Sequence, residues 1–128
     1  SHPRTMKNLQ QFDQQDKLNA ASGVKVLDPV PYIDFMNIVT GAALAITDSG
    51  GLQEETSYLG IPCLTMRENT ERPITISSGT NRLVNHTELR AAVKEVMAGD
   101  WPGGTPIPYW DGATAGRAAQ NLKERLIA

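Results

Sequence analysis

The chain has 128 residues, with 12 basic against 14 acidic side chains, a net charge of −2 and 40% hydrophobic residues. That size suits one domain or part of a two-domain protein, and the near-balance of charge excludes any general attraction to nucleic acid or an anionic membrane, so an anionic ligand must be held by a local site. No apolar run approaches the roughly 18–20 residues of a membrane-spanning helix, and no signal peptide is visible. The single cysteine, Cys63, can form no internal disulfide, which favours a reducing compartment, the cytoplasm. It stands in the apolar run Ile61-Pro62-Cys63-Leu64, where a small core residue is the reading preferred over a nucleophile.

Taken in chain order, the opening Ser1-His2-Pro3-Arg4 reads like mid-chain sequence, and Met6, Leu9 and Phe12 recur at helical spacing. Val24-Lys25-Val26-Leu27 predicts a first strand. Ile33, Met36 and Asn37 follow on a second helix, with Phe35 and Val39 beside them. Ala43 to Thr47 predicts the next strand, Leu52, Glu55 and Leu59 share one face of the next helix, and Ile61 to Met66 predicts another strand. Pro73 sits in the first turn of a further helix, and Arg82-Leu83-Val84 is a weaker strand. Leu89, Ala92, Val93, Val96 and Met97 fit an amphipathic helix, for which Asn85 and Glu88 form a capping pair. Gly99 to Gly112 is a loop carrying Trp101, Tyr109 and Trp110, and a last helix presents Ala115, Ala118, Ala119, Leu122 and Leu126 on one face. Strand and helix in alternation imply right-handed crossovers in a doubly wound parallel sheet. Because such a sheet normally begins with a strand, at least one is expected upstream, and the chain reads as a fragment.

Chemistry concentrates where strands give way to helices, since the carboxyl ends of strands are where open α/β sheets hold ligands. Thr47-Asp48-Ser49-Gly50-Gly51-Leu52-Gln53-Glu54-Glu55 is such a place. Ser49 offers an N-cap hydroxyl, Gly50 and Gly51 allow close backbone approach, and the first helical N–H groups favour an oxyanion such as phosphate. A tight turn with nothing bound is the competing reading. Glu55, placed by helical spacing on the face of Leu52 and Leu59, needs a partner: the hydroxyls of a sugar diol, or an arginine in an ion pair. Glu54 is expected to be solvated and to complement the helix amino terminus. In Met66-Arg67-Glu68-Asn69-Thr70-Glu71-Arg72-Pro73, two arginines occupy the equivalent place after the next strand and suit a diphosphate. Of the two, Arg72 is the stronger candidate, because Pro73 fixes the backbone beside it, whereas Arg67 is as well explained by solvation. Pro29-Val30-Pro31-Tyr32-Ile33-Asp34-Phe35 could form a slot for a flat base, with Phe35 either stacking on it or filling core. His2 and His86 suggest no metal site, and Asp48, Glu54 and Glu55 have no metal-loop spacing.

The block Asp48 to Glu55, followed by Leu59-Gly60-Ile61-Pro62, Arg67 to Pro73 and Gly79-Thr80-Asn81-Arg82-Leu83-Val84, resembles the signature of the non-hydrolysing UDP-N-acetylglucosamine 2-epimerases. The likeness extends upstream to His2-Pro3-Arg4-Thr5 and Tyr32-Ile33-Asp34-Phe35, and downstream to Pro108, Asp111-Gly112 and Arg117. It implies the carboxyl-terminal, UDP-binding domain (residues 1–128, in part) of a GT-B enzyme with two Rossmann-like domains facing a cleft. By position it places Ser49, Gly50 and Gly51 at the diphosphate, Glu55 at the ribose hydroxyls, Arg72 at the phosphate–sugar region, and Val30 (through its backbone) and Phe35 at the uracil. The implied reaction interconverts UDP-N-acetylglucosamine and UDP-N-acetylmannosamine by elimination and re-addition of UDP, in a homodimer, with no redox cofactor and no metal. The family's catalytic carboxylates lie in the first domain and its catalytic histidine upstream of Ser1, so no catalytic residue is assigned in this chain, which is expected to be inactive alone. His2 falls where some bacterial members have a histidine linked to an allosteric substrate site. Trp110 stands where many relatives have glycine. A donor-binding half of a GT-B glycosyltransferase and a stand-alone nucleotide-sugar-binding domain are the other readings.

Overall fold

The computed structural model describes residues 3–127, so His2 lies outside the described residues. The chain divides into two units, Ser1–Ile38 and Val39–Ala128, with the boundary inside one helix.

In the first unit, α1 (Pro3–Gln11) leads through a tight turn at Asp13, whose φ is +50°, into α2 (Gln15–Ala20), and a third helix, α3 (Tyr32–Thr40), begins after an irregular stretch. The α1 helix ends one residue short of Phe12, which is exposed. The second helix was not anticipated from the sequence: its six residues contain only one large apolar side chain, Leu18, and so no apolar period. Val24 to Leu27 is not a strand. The segment has no regular secondary structure and is not part of the sheet, and Val24, Val26 and Leu27 are exposed. An apolar β-branched run satisfies the composition of a strand, whereas the ladder that makes one requires a neighbour. On α3, Ile33 is exposed, Met36 half-buried and Val39 buried, so the expected inward face is only partly covered.

The second unit carries the sheet. Strands β1 (Ala45–Thr47), β2 (Cys63–Thr65) and β3 (Asn81–Leu83) run parallel in that order, with Ala45, Cys63 and Asn81 in register. The first two are shorter than their apolar runs, and β3 begins and ends one residue earlier than expected. The central strand β2 is buried along its whole length, as a parallel strand between helices must be. Helix α4 (Gly50–Leu59) joins β1 to β2, α5 (Pro73–Ser77) joins β2 to β3, and α6 (Leu89–Ala98) and α7 (Thr114–Ile127) follow. Glycines stop two of these helices: Gly60 at φ +73° and Gly99 at φ +82° take the left-handed cap conformation, each passing the chain to a residue that bonds back into the last turn (Ile61 N–H to Thr56 O, 2.9 Å; Asp100 N–H to Glu95 O, 3.0 Å). The capping pair ahead of α6 is reciprocal, with Asn85 N–H donating to Glu88 Oε2 at 3.0 Å and Glu88 N–H to Asn85 Oδ1 at 3.1 Å.

The core is small. Leu64, Val84 and Ala92 form its centre, covered by Leu44, Leu89, Val93 and Trp101. Trp101 donates its indole N–H to Thr80 O at 3.1 Å and carries the Arg82 guanidinium 4.2 Å above its ring, which gives the irregular loop one fixed point on the sheet. Another is Thr105, whose N–H donates to Ser78 O at 2.7 Å. Cys63 is fully buried and burial raises its thiol pKa, in keeping with a core residue. Along α6 the expected stripe holds at Ala92 and Val96, but Met97 is exposed. The predicted apolar face of α7 is open to solvent in this chain, with Leu122 and Leu126 both exposed.

Candidate functional site

Because β1 and β2 are parallel neighbours in register, the segments that leave them, Asp48 to Gly51 and Met66 to Arg72, emerge at the same end of the sheet. This juxtaposition is what the sequence led us to expect of a ligand edge. Ser49 occupies the N-cap of α4 with φ −82° and ψ 132°, yet its hydroxyl makes no capping bond. The turn is held instead by Ser49 N–H donating to Thr47 Oγ1 at 2.9 Å. The side chain that most often closes a helix start therefore leaves the first N–H groups of α4 for another acceptor. Gly51 is exposed, and a Cβ placed there would meet nothing within 4 Å, so the fold itself does not require glycine at this position. At Gly50 a Cβ would come 3.9 Å from Glu71 Oε2, an ordinary contact.

The charged side chains around this opening are arranged differently from the expectation. Glu54 is not a solvated bystander: its Oε1 lies 3.0 Å from Arg72 Nε, with both side chains half-exposed. The contact is ionic and off the N–H direction, for the buried Arg72 Nε has no hydrogen-bond acceptor. Arg67 pairs with Glu71 through both guanidinium ends, at 2.9 and 3.1 Å, and its hydrogen bonds hold the Glu71 carboxyl below its ordinary pKa. Arg67 thus neutralises the acid beside Gly50, and it lines a separate hollow of about 560 Å³ with Met66, Asn85 and His86. Glu55 is half-buried. The fully buried residues of α4 are Gln53 and Thr56, so the inward face is rotated from the expected Leu52, Glu55 and Leu59 stripe. Polar side chains, invisible to an apolar periodicity, set that face.

Beneath the opening lies a network of buried amides and hydroxyls that apolar patterning does not reveal. The Gln53 carboxamide oxygen accepts from Thr70 Oγ1 at 2.6 Å and from Asn81 Nδ2 at 3.1 Å, while its amino group donates to Ser49 O at 3.3 Å. Asn81 Nδ2 also donates to Thr75 Oγ1 at 3.1 Å, and Asn81 Oδ1 accepts from Thr65 Oγ1 at 2.6 Å. Thr70 Oγ1 accepts Arg72 N–H at 2.9 Å, and Thr75 Oγ1 donates to Arg72 O at 2.7 Å. Gln53, Thr65 and Thr75 are fully buried and Asn81 nearly so. Gly79 is also demanded here, since a Cβ would lie 2.6 Å from Thr75 O.

Val30 and Phe35 belong to the first unit, where they line one apolar hollow of about 630 Å³ together with Met6, Leu9, Leu18 and Leu27. Ser49, Gly50, Gly51 and Arg72 are gathered at one end of the sheet in the second.

A parallel sheet whose strands run into helices opened by Gly50 and by Pro73, with uncapped donors at the carboxyl ends, defines a Rossmann-like α/β unit, the class expected from the sequence. The chain belongs to the UDP-N-acetylglucosamine 2-epimerase family, whose profile matches residues 1–123. It is 47% identical over 98 residues to UDP-N-acetylglucosamine 2-epimerase of Methanocaldococcus jannaschii, covering 75% of this chain and 26% of that protein. To the enzyme of the same name from Salmonella typhimurium it is 40% identical over 118 residues, covering 87% and 31%. Among solved structures, the Methanocaldococcus jannaschii enzyme in complex with UDP-GlcNAc and UDP superposes with a TM-score of 0.80 at 38% identity, covering 96% of this chain and 34% of that one. The structure of a putative UDP-N-acetylglucosamine 2-epimerase from Listeria monocytogenes gives 0.74 at 28% identity, covering 98% and 34%. The chain therefore spans between a quarter and about a third of the length of these relatives. No helix among the described residues is long and apolar enough to cross a membrane.

Proposed function

We propose that this chain forms the carboxyl-terminal UDP-binding part of an enzyme that interconverts UDP-N-acetylglucosamine and UDP-N-acetylmannosamine by elimination and re-addition of UDP. The observation that carries this reading is the start of α4: an N-cap serine that does not cap, followed by two glycines, one of which the fold does not need. Unpaired N–H groups at a helix start attract an oxyanion through both hydrogen bonding and the helix dipole. In the proposed complex Ser49, Gly50 and Gly51 receive the diphosphate, and Arg72, whose side chain is half-exposed at the same end of the sheet, offers its terminal guanidinium N–H groups to the phosphate–sugar region. Glu55 accepts from the ribose hydroxyls. Val30, through its backbone, and Phe35 take the uracil, in keeping with their place in one apolar hollow. A complex of UDP-GlcNAc and UDP with the Methanocaldococcus jannaschii relative supports the ligand class.

In this scheme the chain's contribution to chemistry is to hold departing UDP, since donors preorganised around a leaving group stabilise the charge that develops on it. The acid and base that move the proton at the epimerised carbon come from the remainder of the enzyme, which we propose is a cytoplasmic homodimer supplying cell-surface polysaccharide synthesis. The test is product analysis by NMR of UDP-N-acetylglucosamine incubated with the chain joined to the amino-terminal portion of a relative. Appearance of UDP-N-acetylmannosamine supports the proposal. Transfer of the sugar to an acceptor without epimerisation would replace it with a glycosyltransferase.

A further inference from the structure

We infer that Gln53 is a positioning residue, which sets the geometry of the proposed diphosphate site by tying the glycine turn to the backbone of Arg72. The inference rests on the reading of Ser49 to Gly51 and Arg72 as that site. Gln53 is fully buried, so it acts only through its neighbours. Its amino group holds Ser49 O, the last carbonyl before the two glycines. Its carbonyl holds Thr70, and the same Thr70 oxygen receives the Arg72 N–H. The other side of Arg72 is held in the same way: Asn81, bonded to Gln53, donates to Thr75, whose hydroxyl donates to Arg72 O.

Both peptide groups flanking the Arg72 Cα are thus fixed by threonine hydroxyls, each anchored to a buried amide. The bonding capacity of these groups is used closely. The two Asn81 amino protons go to Gln53 and Thr75, and its carbonyl takes the Thr65 hydroxyl. Each of Thr70 and Thr75 donates once and accepts once. A network satisfied to this degree favours one arrangement, because breaking a bond to Gln53, Asn81 or Thr75 leaves a polar atom of a buried side chain unpaired. Arg72 has torsional freedom in its side chain but little at its root, and the α4 turn is registered to it through a single side chain.

The test uses the 128-residue chain and two ligands, UDP and uridine, titrated by NMR. Removing the Thr70 hydroxyl with Thr70→Val, close in shape to threonine, cuts the first of the two arms between Gln53 and Arg72 without emptying the core. The expected result is an approximately tenfold loss of UDP affinity, with uridine affinity within about twofold of the unaltered chain, and recovery of most UDP affinity in Thr70→Ser. Thr75→Val, read in the same way, breaks the second arm and should show the same selectivity. UDP binding by Thr70→Val within about twofold of the unaltered chain would overturn the inference, as would parallel loss of UDP and uridine, which marks general destabilisation. If the unaltered chain itself bound no UDP at millimolar concentration, the proposed site would fail instead, and the two failures are separable in one set of titrations.

Discussion

Gly51 and Gly79 are glycines for opposite reasons, and alanine separates them. Gly79 has Thr75 O where a Cβ would go, so Gly79→Ala forces backbone or helix α5 to shift and should lower stability by about 1–3 kcal/mol, read as a fall in the thermal midpoint. Gly51 lies in the first turn of α4 with open space around it. Gly51→Ala should leave the midpoint unchanged or raise it, by up to about 1 kcal/mol from helix propensity, while weakening UDP binding because the added methyl stands in the proposed diphosphate site. An alanine variant that binds UDP as well as glycine does would show that nothing approaches that turn. The two adjacent acids make a second pair. Glu55→Ala should weaken UDP binding in calorimetry more than Glu54→Ala, since Glu54 meets Arg72 in a half-exposed ion pair of the kind worth at most about 1 kcal/mol. Equal losses would contradict the ribose role. At this scale the placement of the glycine turn and Arg72 at one end of the sheet was legible, because both lie in segments that directly follow neighbouring parallel strands. The Gln53–Thr70–Asn81 core was not, because isolated polar residues far apart in the sequence read as surface until the strands bring them together.

Among the elements, β1 and β2 were legible as short apolar runs bounded by turn residues, and the structure adds that α4 and α6 end at glycines in the left-handed conformation. Val24 to Leu27 shows the limit of such runs, since composition is local and pairing is not. Cys63 at the centre of β2 gives a check on the sheet. With its thiol raised by burial, it should resist a disulfide reagent at pH 8 in the native chain and react fully in denaturant, so rapid native reaction would mean that β2 opens readily. The start of α7 gives a check in acid. Arg117 grips Asp111 through two bonds, at 2.8 and 3.0 Å, and also Tyr109 O at 2.9 Å, while Tyr109 holds a φ of +70°. That grip lowers the Asp111 carboxyl from 3.8 to about 2. A carboxyl held below its unfolded value lends stability above that value and loses it as the pH falls through the folded one, so the contact should persist at pH 4 and release near pH 2. The Asp111 carboxyl carbon, followed by NMR, should titrate near 2, and a midpoint near 3.8 would mean that the grip does not form in solution.

For the molecule as a whole, two observations bear on how much of the activity this chain can carry. It spans between a quarter and about a third of its relatives, and it leaves apolar side chains uncovered on several elements: Ile33 and Phe35 on α3, Tyr58 on α4, Leu122 and Leu126 on α7. Apolar surface gathered on helix faces favours burial. The consequence for function concerns affinity rather than geometry. In the proposed site the N–H groups of one helix start and one arginine supply charge complementarity, but a nucleotide held from one side keeps much of its water and its own flexibility, and ordering it offsets much of what those contacts contribute. UDP should therefore bind the isolated chain with a dissociation constant on the order of a millimolar by calorimetry, about −4 kcal/mol, and at least tenfold more tightly once the chain is joined to the amino-terminal portion of a relative. Micromolar binding by the chain alone would mean that the α4 turn and Arg72 supply nearly all of the nucleotide's affinity, and that the uncovered helix faces serve assembly and not ligand capture.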